Sequence, residues 1–275
     1  MGFGGFFNYD KPGPGIKKGG PRKKSFFVVL ETWFRNLWKL TSVSFVYSLM
    51  TLLVIPSGLA AVGMTNVARN LARDKHSFGL SDFFETIKKN WKQGLIAGII
   101  NAILIFINTY AIYFYFTGED FLTIIGFGMS VALCIMFRFM RYHLWLLIIT
   151  FKLPLKKMYK NCFLFSFVNW KANLILGITE IILAAICIAL VYLTFLTGYL
   201  ILTVLAILLA TCLFPGFINL LTQTLIFPKV KQLMIDPYYE AHPDEDVELR
   251  RNLGLEVEEE DESVFEDKHI ENPEN

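Results

Sequence analysis

Ionisable residues are rare within the long apolar stretches of this sequence, and those that occur there are the first candidates for chemistry. Glu180, within "GITEII", is the only acidic residue inside such a stretch. Arg138, Arg141 and His143 interrupt the otherwise apolar residues 121–151. An unpaired carboxylate in apolar surroundings tends to be neutral, whereas a nearby opposite charge keeps it ionised. We therefore predict that Glu180 pairs with Arg138 or Arg141, and that these residues form a candidate polar site with His143.

The sequence leaves three interpretations of this site open. In the first, the ion pair only fixes how two helical hairpins pack. In the second, the site binds a substrate or a proton, because ionisable residues inside a membrane often serve transport. In the third, the arginine side chains extend to the membrane surface and Glu180 is protonated.

Other kinds of chemistry find little support in the residues. The cysteines lie in or beside apolar stretches and lack a C-x-x-C spacing, which predicts small buried side chains rather than disulfides or zinc ligands: Cys134, Cys162, Cys187 and Cys212. The segment "GPGIKKGGPRKKS" resembles a phosphate-binding loop, but Pro21 follows Gly20 where the motif needs lysine. Of the histidines, only His143 lies near an apolar stretch. We predict no enzymatic activity, catalytic residue, metal, cofactor or nucleic-acid partner.

Two further apolar stretches carry polar residues. Amide and hydroxyl side chains form a stripe on one of them: Asn101, Asn108, Thr109, Tyr110, Tyr113 and Tyr115. The other, "LFPGFINLLTQT", has a Pro-Gly break beside Asn219 and Gln223. Broken helices with nearby amides can line transport sites. Hydrogen bonds between helices and aromatic anchors at the membrane surface are the commoner role, and we expect that role here.

The elements that position these residues are predicted to be membrane helices. The chain is 54% apolar and 15% aromatic, which is too hydrophobic for a soluble domain of 275 residues. Apolar stretches of the roughly 20 residues needed to cross a bilayer begin near Thr41, Gly94, Phe121, Leu174 and Tyr199.

The stretch "VIPSGLAAVGM" decides the topology. A single crossing through it would place the basic segments 62–93 and 138–171 outside the cell, against the preference of Lys and Arg for the cytoplasm. A turn at Pro56-Ser57-Gly58 instead places every basic segment and both termini in the cytoplasm. The returning limb is short, so it either crosses the membrane or forms a re-entrant hairpin.

The sequence thus predicts an all-α integral membrane protein with about six transmembrane or re-entrant helices in three hairpins. The expected spans are residues 37–55, 58–73, 94–117, 121–151, 174–196 and 199–228. A basic arm, residues 1–24, precedes the membrane domain, residues 25–235. An acidic and mostly disordered tail, residues 236–275, follows it, with 16 acidic and 3 basic residues.

Two amphipathic helices, 81–93 and 155–170, are predicted to lie on the cytoplasmic surface of the membrane. The first places Phe84, Ile87 and Trp91 on one face. Lysine side chains on both helices are candidates for binding anionic lipid headgroups: Lys88, Lys89, Lys156, Lys157 and Lys160. The expected partner is therefore a bilayer with anionic lipids.

Three segments resemble the YesL-like family of bacterial membrane proteins. They are "FFNYDKPGPGIKK", "IPSGLAAVGMTNVARNLARDKHSFGLSDFFETIKKNWKQ" and "ITFKLPLKKMYKNCFLFSFVN". The resemblance implies a protein of the cell membrane without assigned catalytic residues, associated with uptake of plant-type oligosaccharides. We expect an accessory protein, for example a partner of a transporter subunit. The alternative is a secondary transporter or channel for a small solute.

Overall fold

The part of the chain described by the computed structural model, residues 25–151 and 153–237, is helical and contains no β-strand. The predicted basic arm and all but the first two residues of the predicted acidic tail lie outside this part. The helices within it are α1 (Ser25–Arg35), α2 (Leu37–Leu52), α3 (Ser57–Ala72), α4 (Leu80–Phe116), α5 (Phe121–Thr150), α6 (Leu155–Val168), α7 (Trp170–Thr197), α8 (Leu200–Leu208) and α9 (Phe214–Val230). A π-helical turn, Leu209–Leu213, joins α8 to α9, and a second, Lys231–Ile235, extends α9.

Four helices are long and apolar enough to cross a membrane. They are α4 with 37 residues, α5 with 30, α7 with 28, and the continuous helix from Leu200 to Ile235 with 36. Along the most apolar stretch of each helix, only 6% to 17% of the residues are buried inside the protein. The prediction of an all-α protein is confirmed, and these four helices have the length and composition of membrane spans. Helices α2 and α3 have only 16 residues each, so the structure does not establish six full spans.

The chain reverses at the predicted turn. α2 ends at Leu52, and α3 begins at Ser57 after Pro56, whose fixed φ angle suits the start of a helix. α3 then becomes the most enclosed helix, because α2, α4, α5 and α9 all pack around it. Small residues allow this: a Cβ atom on Gly98 of α4 would lie 2.7 Å from the Cα atom of Gly58. Only glycine at both positions permits so close an approach.

The hairpin of α2 and α3 reaches only part of the way along the long helices. Its tip at Gly58 packs against Gly98, and α4 continues from there to Phe116, about 27 Å farther along the axis. That distance approaches the roughly 30 Å thickness of the hydrocarbon core. The hairpin therefore covers only the first part of the length of α4, and the apolar far part of α4 extends beyond its tip.

The bundle has two different ends. At the basic end lie the α3–α4 connection, around Asp74, and the helices α1 and α6. At the far end lie only the α4–α5 connection, around Gly118, and the α7–α8 turn, where Gly198 adopts a left-handed conformation with φ of 75°. Most buried side chains belong to the basic end, while apolar side chains toward the far end are largely exposed.

The predicted surface helix 81–93 corresponds to the first part of α4, and a kink at Asn90, with φ of −119° and ψ of 19°, separates it from the apolar part. Its position on the membrane surface stays a prediction. Phe83, rather than Phe84 or Trp91, is the aromatic residue that faces the protein core. The predicted helix 155–170 corresponds to α6, which buries Phe165 and exposes Phe163.

Candidate functional site

A cluster of three side chains joins α5 to α7. The Nε atom of Arg138 donates a hydrogen bond to Glu180 Oε2 at 2.7 Å, and a terminal nitrogen of the same guanidinium completes an ion pair with that oxygen. The hydroxyl of Tyr142 donates to the same carboxylate oxygen at 2.7 Å. The guanidinium also lies 5.5 Å from the centre of the Tyr142 ring. The Glu180 carboxylate is therefore both charge-compensated and hydrogen-bonded.

Helical spacing brings Tyr142 into this cluster. It lies four residues after Arg138, so both side chains project from the same face of α5. Our sequence analysis missed Tyr142, although its position four residues after a candidate arginine is a signal that could have found it. Glu180 reaches the cluster from α7, which packs sparsely against α5.

The structure pairs Glu180 with Arg138 and not with Arg141. Arg141 lies within electrostatic range of Arg138, Glu180 and Tyr47. Its guanidinium makes no hydrogen bond to any residue of the described ranges 25–151 and 153–237.

His143 is not part of the cluster. Its side chain is fully buried on another face of α5, where Nδ1 donates to the carbonyl oxygen of Phe139 at 3.0 Å. The imidazole stacks on Phe165 of α6 with 5.5 Å between ring centres. The structure thus separates His143 from the other three candidate site residues and makes it a packing residue between α5 and α6.

The cluster forms part of the wall of a large cavity, here called the central cavity. Its volume is about 870 Å³, and it lies between the tip of the α2–α3 hairpin and helices α4, α5, α7 and α9. Polar side chains from six helices line it: Tyr47, Thr51, Ser57, Thr65, Asn101, Thr109, Arg138, Arg141, Tyr142, Glu180, Asn219, Thr222 and Gln223. The remaining wall is mainly apolar and includes Ile105, Phe106 and Ile188.

Both polar stretches identified in the sequence contribute to this cavity. From the first, Asn101 and Thr109 line it, and the Asn101 amide donates to the Ala97 carbonyl at 2.8 Å. From the second, Asn219 and Gln223 line it. Gln223 is only 1% exposed, yet its amide makes no hydrogen bond to any side chain or backbone group that the structure describes.

The basic end holds a separate polar network. Arg69 of α3 donates to Thr150 Oγ1 at 3.2 Å and to Asn66 Oδ1 at 2.8 Å, and Asn66 donates to Thr86 Oγ1 at 2.7 Å. These bonds tie α3 to α5 and α4. Burial and the neighbouring arginines, including Arg69, lower the pKa of the Lys75 ammonium just beyond α3. The network thus holds α3 against α4 and α5 at the basic end.

The candidate lipid-contacting lysines are all exposed at this end. They belong to α4 and α6: Lys88, Lys89, Lys156, Lys157 and Lys160. Lys89 pairs with Glu85 one helical turn earlier at 2.7 Å, while the two helices present the other amino groups to the surroundings. Binding of anionic lipids by these residues stays a prediction.

No group of three or more His, Cys, Asp or Glu side chains that could hold a metal ion occurs within the described part of the chain. The side chains that line the central cavity offer charge, hydrogen bonding and aromatic contact.

Comparison with known proteins gives one match. The family described as "Protein of unknown function, DUF624" matches residues 33–112, which is less than a third of the chain. These residues include α2, α3 and most of α4, the elements that form the α2–α3 hairpin and its contact with α4. No curated protein matches the sequence. No solved structure matches it. The chain is thus a helical membrane protein similar, over this region, to the uncharacterised DUF624 family.

Proposed function

We propose that this protein is a non-enzymatic protein of the cytoplasmic membrane that binds a small polar solute in the central cavity and moves it across the bilayer. The observation that carries the proposal is the polar cavity of about 870 Å³ among helices whose outer surfaces are apolar. Small-molecule sites usually measure about 300 to 1,000 Å³. The central cavity therefore has the size of a small-molecule site, with charged and amide side chains on a mainly apolar wall.

The exposed apolar surface supports a placement in which the hydrocarbon core covers the far halves of α4, α5, α7 and α8. The preference of Lys and Arg for the cytoplasm supports the orientation with the basic end at the cytoplasmic surface. The tip of the α2–α3 hairpin, which packs against Gly98, then lies close to the cytoplasmic edge of this core, because about 27 Å of α4 extends beyond it. The central cavity begins near this tip, and irregular backbone in membrane proteins often lines such a cavity.

A carbohydrate-related solute is the class favoured by the resemblance to YesL-like proteins, a group included in DUF624. The cavity wall contains aromatic rings beside amide groups, among them Trp145, Tyr142 and Asn219. Such a surface can stack on the apolar face of a sugar ring and bind its hydroxyl groups.

The same resemblance favours a second function, that of an accessory protein of an uptake transporter. The far parts of α7 and α8 expose large apolar side chains, such as Phe195 at 87% and Leu200 at 74%. Either lipid or a membrane partner can cover this surface. In the accessory case the central cavity has no solute to carry.

A matched pair of variants on α7 tests the proposal. Ala184 and the adjacent Ala185 are both exposed, but only Ala184 lines the central cavity. Proteoliposomes containing wild type, Ala184→Trp or Ala185→Trp are incubated with a mixture of sugars, oligosaccharides and organic acids, and trapped solutes are identified by mass spectrometry. We expect at least one solute to enter with wild type and Ala185→Trp but not with Ala184→Trp. Absence of any protein-dependent solute, together with a stoichiometric transporter subunit co-purifying from native membranes, would establish the accessory function instead.

A further inference from the structure

We infer that the central cavity binds its ligand through an anionic group, a carboxylate or a phosphate, held by Arg141 with the Gln223 amide. The inference rests on the proposed function, because it names the class of ligand that the same cavity takes.

The charges that line the cavity do not cancel. Three ionisable side chains with a full charge face it: Arg138, Arg141 and Glu180. The Glu180 carboxylate is already neutralised by Arg138 and also accepts a hydrogen bond from Tyr142. The positive charge of Arg141 therefore has no counter-charge of its own in the cavity. A cation that lacks a counter-charge beside a mainly apolar wall is costly, so a bound anion would stabilise this arrangement.

The hydrogen-bonding capacity of Arg141 is also unused. A guanidinium has five N–H donors, and none of those on Arg141 bonds to a group in the described chain. Polar groups inside proteins almost always have partners, which leaves water or a ligand to serve Arg141. The planar fork of donors matches the two oxygens of a carboxylate or phosphate, which makes an oxyanion the natural occupant.

Gln223 is an independent indication of a ligand in the same cavity. Its side chain is 99% buried, and its amide oxygen lacks a hydrogen-bond partner in the described residues. Leaving a buried amide without partners costs about 1 to 3 kcal/mol in proteins, so such a group is normally retained for a reason. A carboxylate or phosphate oxygen can accept from the Gln223 amide nitrogen, while a hydroxyl on the ligand can donate to its oxygen.

The anion can belong either to a free solute or to a lipid headgroup. The polar side chains around Arg141 would hold the charged group of both, and the apolar wall that includes Ile105, Phe106 and Ile188 would contact the rest of an amphipathic molecule. The same side chains would bind the anionic group from either source, and a competition experiment distinguishes a free solute from a lipid headgroup.

Trp145 supplies the readout for this test, because it lines the cavity and lies one turn after Arg141 on α5. A full-length variant retains Trp145 as its single tryptophan, with phenylalanine at the other four: Trp33, Trp38, Trp91 and Trp170. Its fluorescence is measured in phosphatidylcholine nanodiscs with iodide, an anionic quencher, and with acrylamide, a neutral one. Size-exclusion chromatography and helical circular dichroism establish that each variant is folded.

We expect Arg141→Met to lower the iodide quenching constant about tenfold while leaving the acrylamide constant unchanged, because only the anion is concentrated by the guanidinium. Gln223→Leu should give a smaller decrease. Lys160→Met removes an exposed positive charge outside the cavity and serves as the matched control, with no change expected. Competition with iodide by inorganic phosphate or acetate identifies a free solute as the source, and competition only by added phosphatidylglycerol identifies a lipid headgroup.

Two results would overturn the inference, and they are distinguishable. If acrylamide reaches Trp145 but iodide quenching is equal with and without Arg141, the cavity admits solutes without selecting anions, and only the inference fails. If neither quencher reaches Trp145 in folded protein, the cavity is closed to solutes and the proposed function fails with it.

Discussion

Replacing Glu180 by leucine should destabilise the protein by about 2 kcal/mol. Removing one member of a fully buried ion pair costs about 3 to 5 kcal/mol, because the other charge is left without compensation. Here the Arg138 side chain is 36% exposed and that of Glu180 is 16% exposed, so hydration from the central cavity reduces the cost. Removing both charges avoids the unpaired cation, and we therefore expect the double variant Arg138→Met/Glu180→Leu to lie within about 1 kcal/mol of wild type.

The measurement is a double-mutant cycle on the protein in mild detergent. Unfolding is induced by increasing mole fractions of dodecyl sulfate and followed by the loss of helical circular dichroism. Arg138→Met alone should also destabilise, and the cycle should show a coupling energy of about 2 kcal/mol between the two positions. Lys160→Met is the control, since it removes an exposed positive charge outside the central cavity. Additive effects of the two single substitutions, with the double variant the least stable, would refute the argument that this pair links α5 to α7.

Two further predictions concern packing and topology. Gly98→Val should prevent folding, because the added Cβ atom would lie 2.7 Å from a Cα atom of α3. Gly128→Ala should fold normally, because no atom lies within 4 Å of its added Cβ atom. The yield of monodisperse protein measures the effect of both substitutions. In a cysteine-free background, Asp120→Cys at the far end should react with a membrane-impermeant maleimide added to intact cells, and Asp74→Cys at the basic end should react only after lysis. The opposite labelling pattern would show that the orientation is inverted.

Much of the helical framework could be predicted from local features of the sequence. The turn at Pro56 is found where the residue types placed it, and the predicted span 121–151 nearly coincides with α5. Helix boundaries depend on nearby proline, glycine and polarity, which are visible along the chain. The predicted boundary between the helix 81–93 and the span beginning at 94 has its counterpart in the kink of α4 at Asn90, a few residues earlier in the chain.

The candidate site could be predicted only in part. Glu180 stood out because a carboxylate is conspicuous among apolar residues, but the sequence offered two arginines as its partner. Arg138 and Arg141 are three residues apart and lie on neighbouring faces of α5, so the choice depends on how α7 is rotated against α5. His143 looked equivalent in the sequence, yet the packing of α6 buries it away from the cavity.

The residues along the chain were sufficient to identify a helical membrane protein, its turn at Pro56 and the sidedness expected from its charges. These properties depend on composition and on short segments, each of which can be judged alone. Only the tertiary structure revealed that the α2–α3 hairpin stops about 27 Å short of the end of α4, and that a polar cavity with an uncompensated Arg141 lies near its tip. Both depend on the axial shift and rotation of helices far apart in sequence, and the periodicity of a single helix carries no information about either.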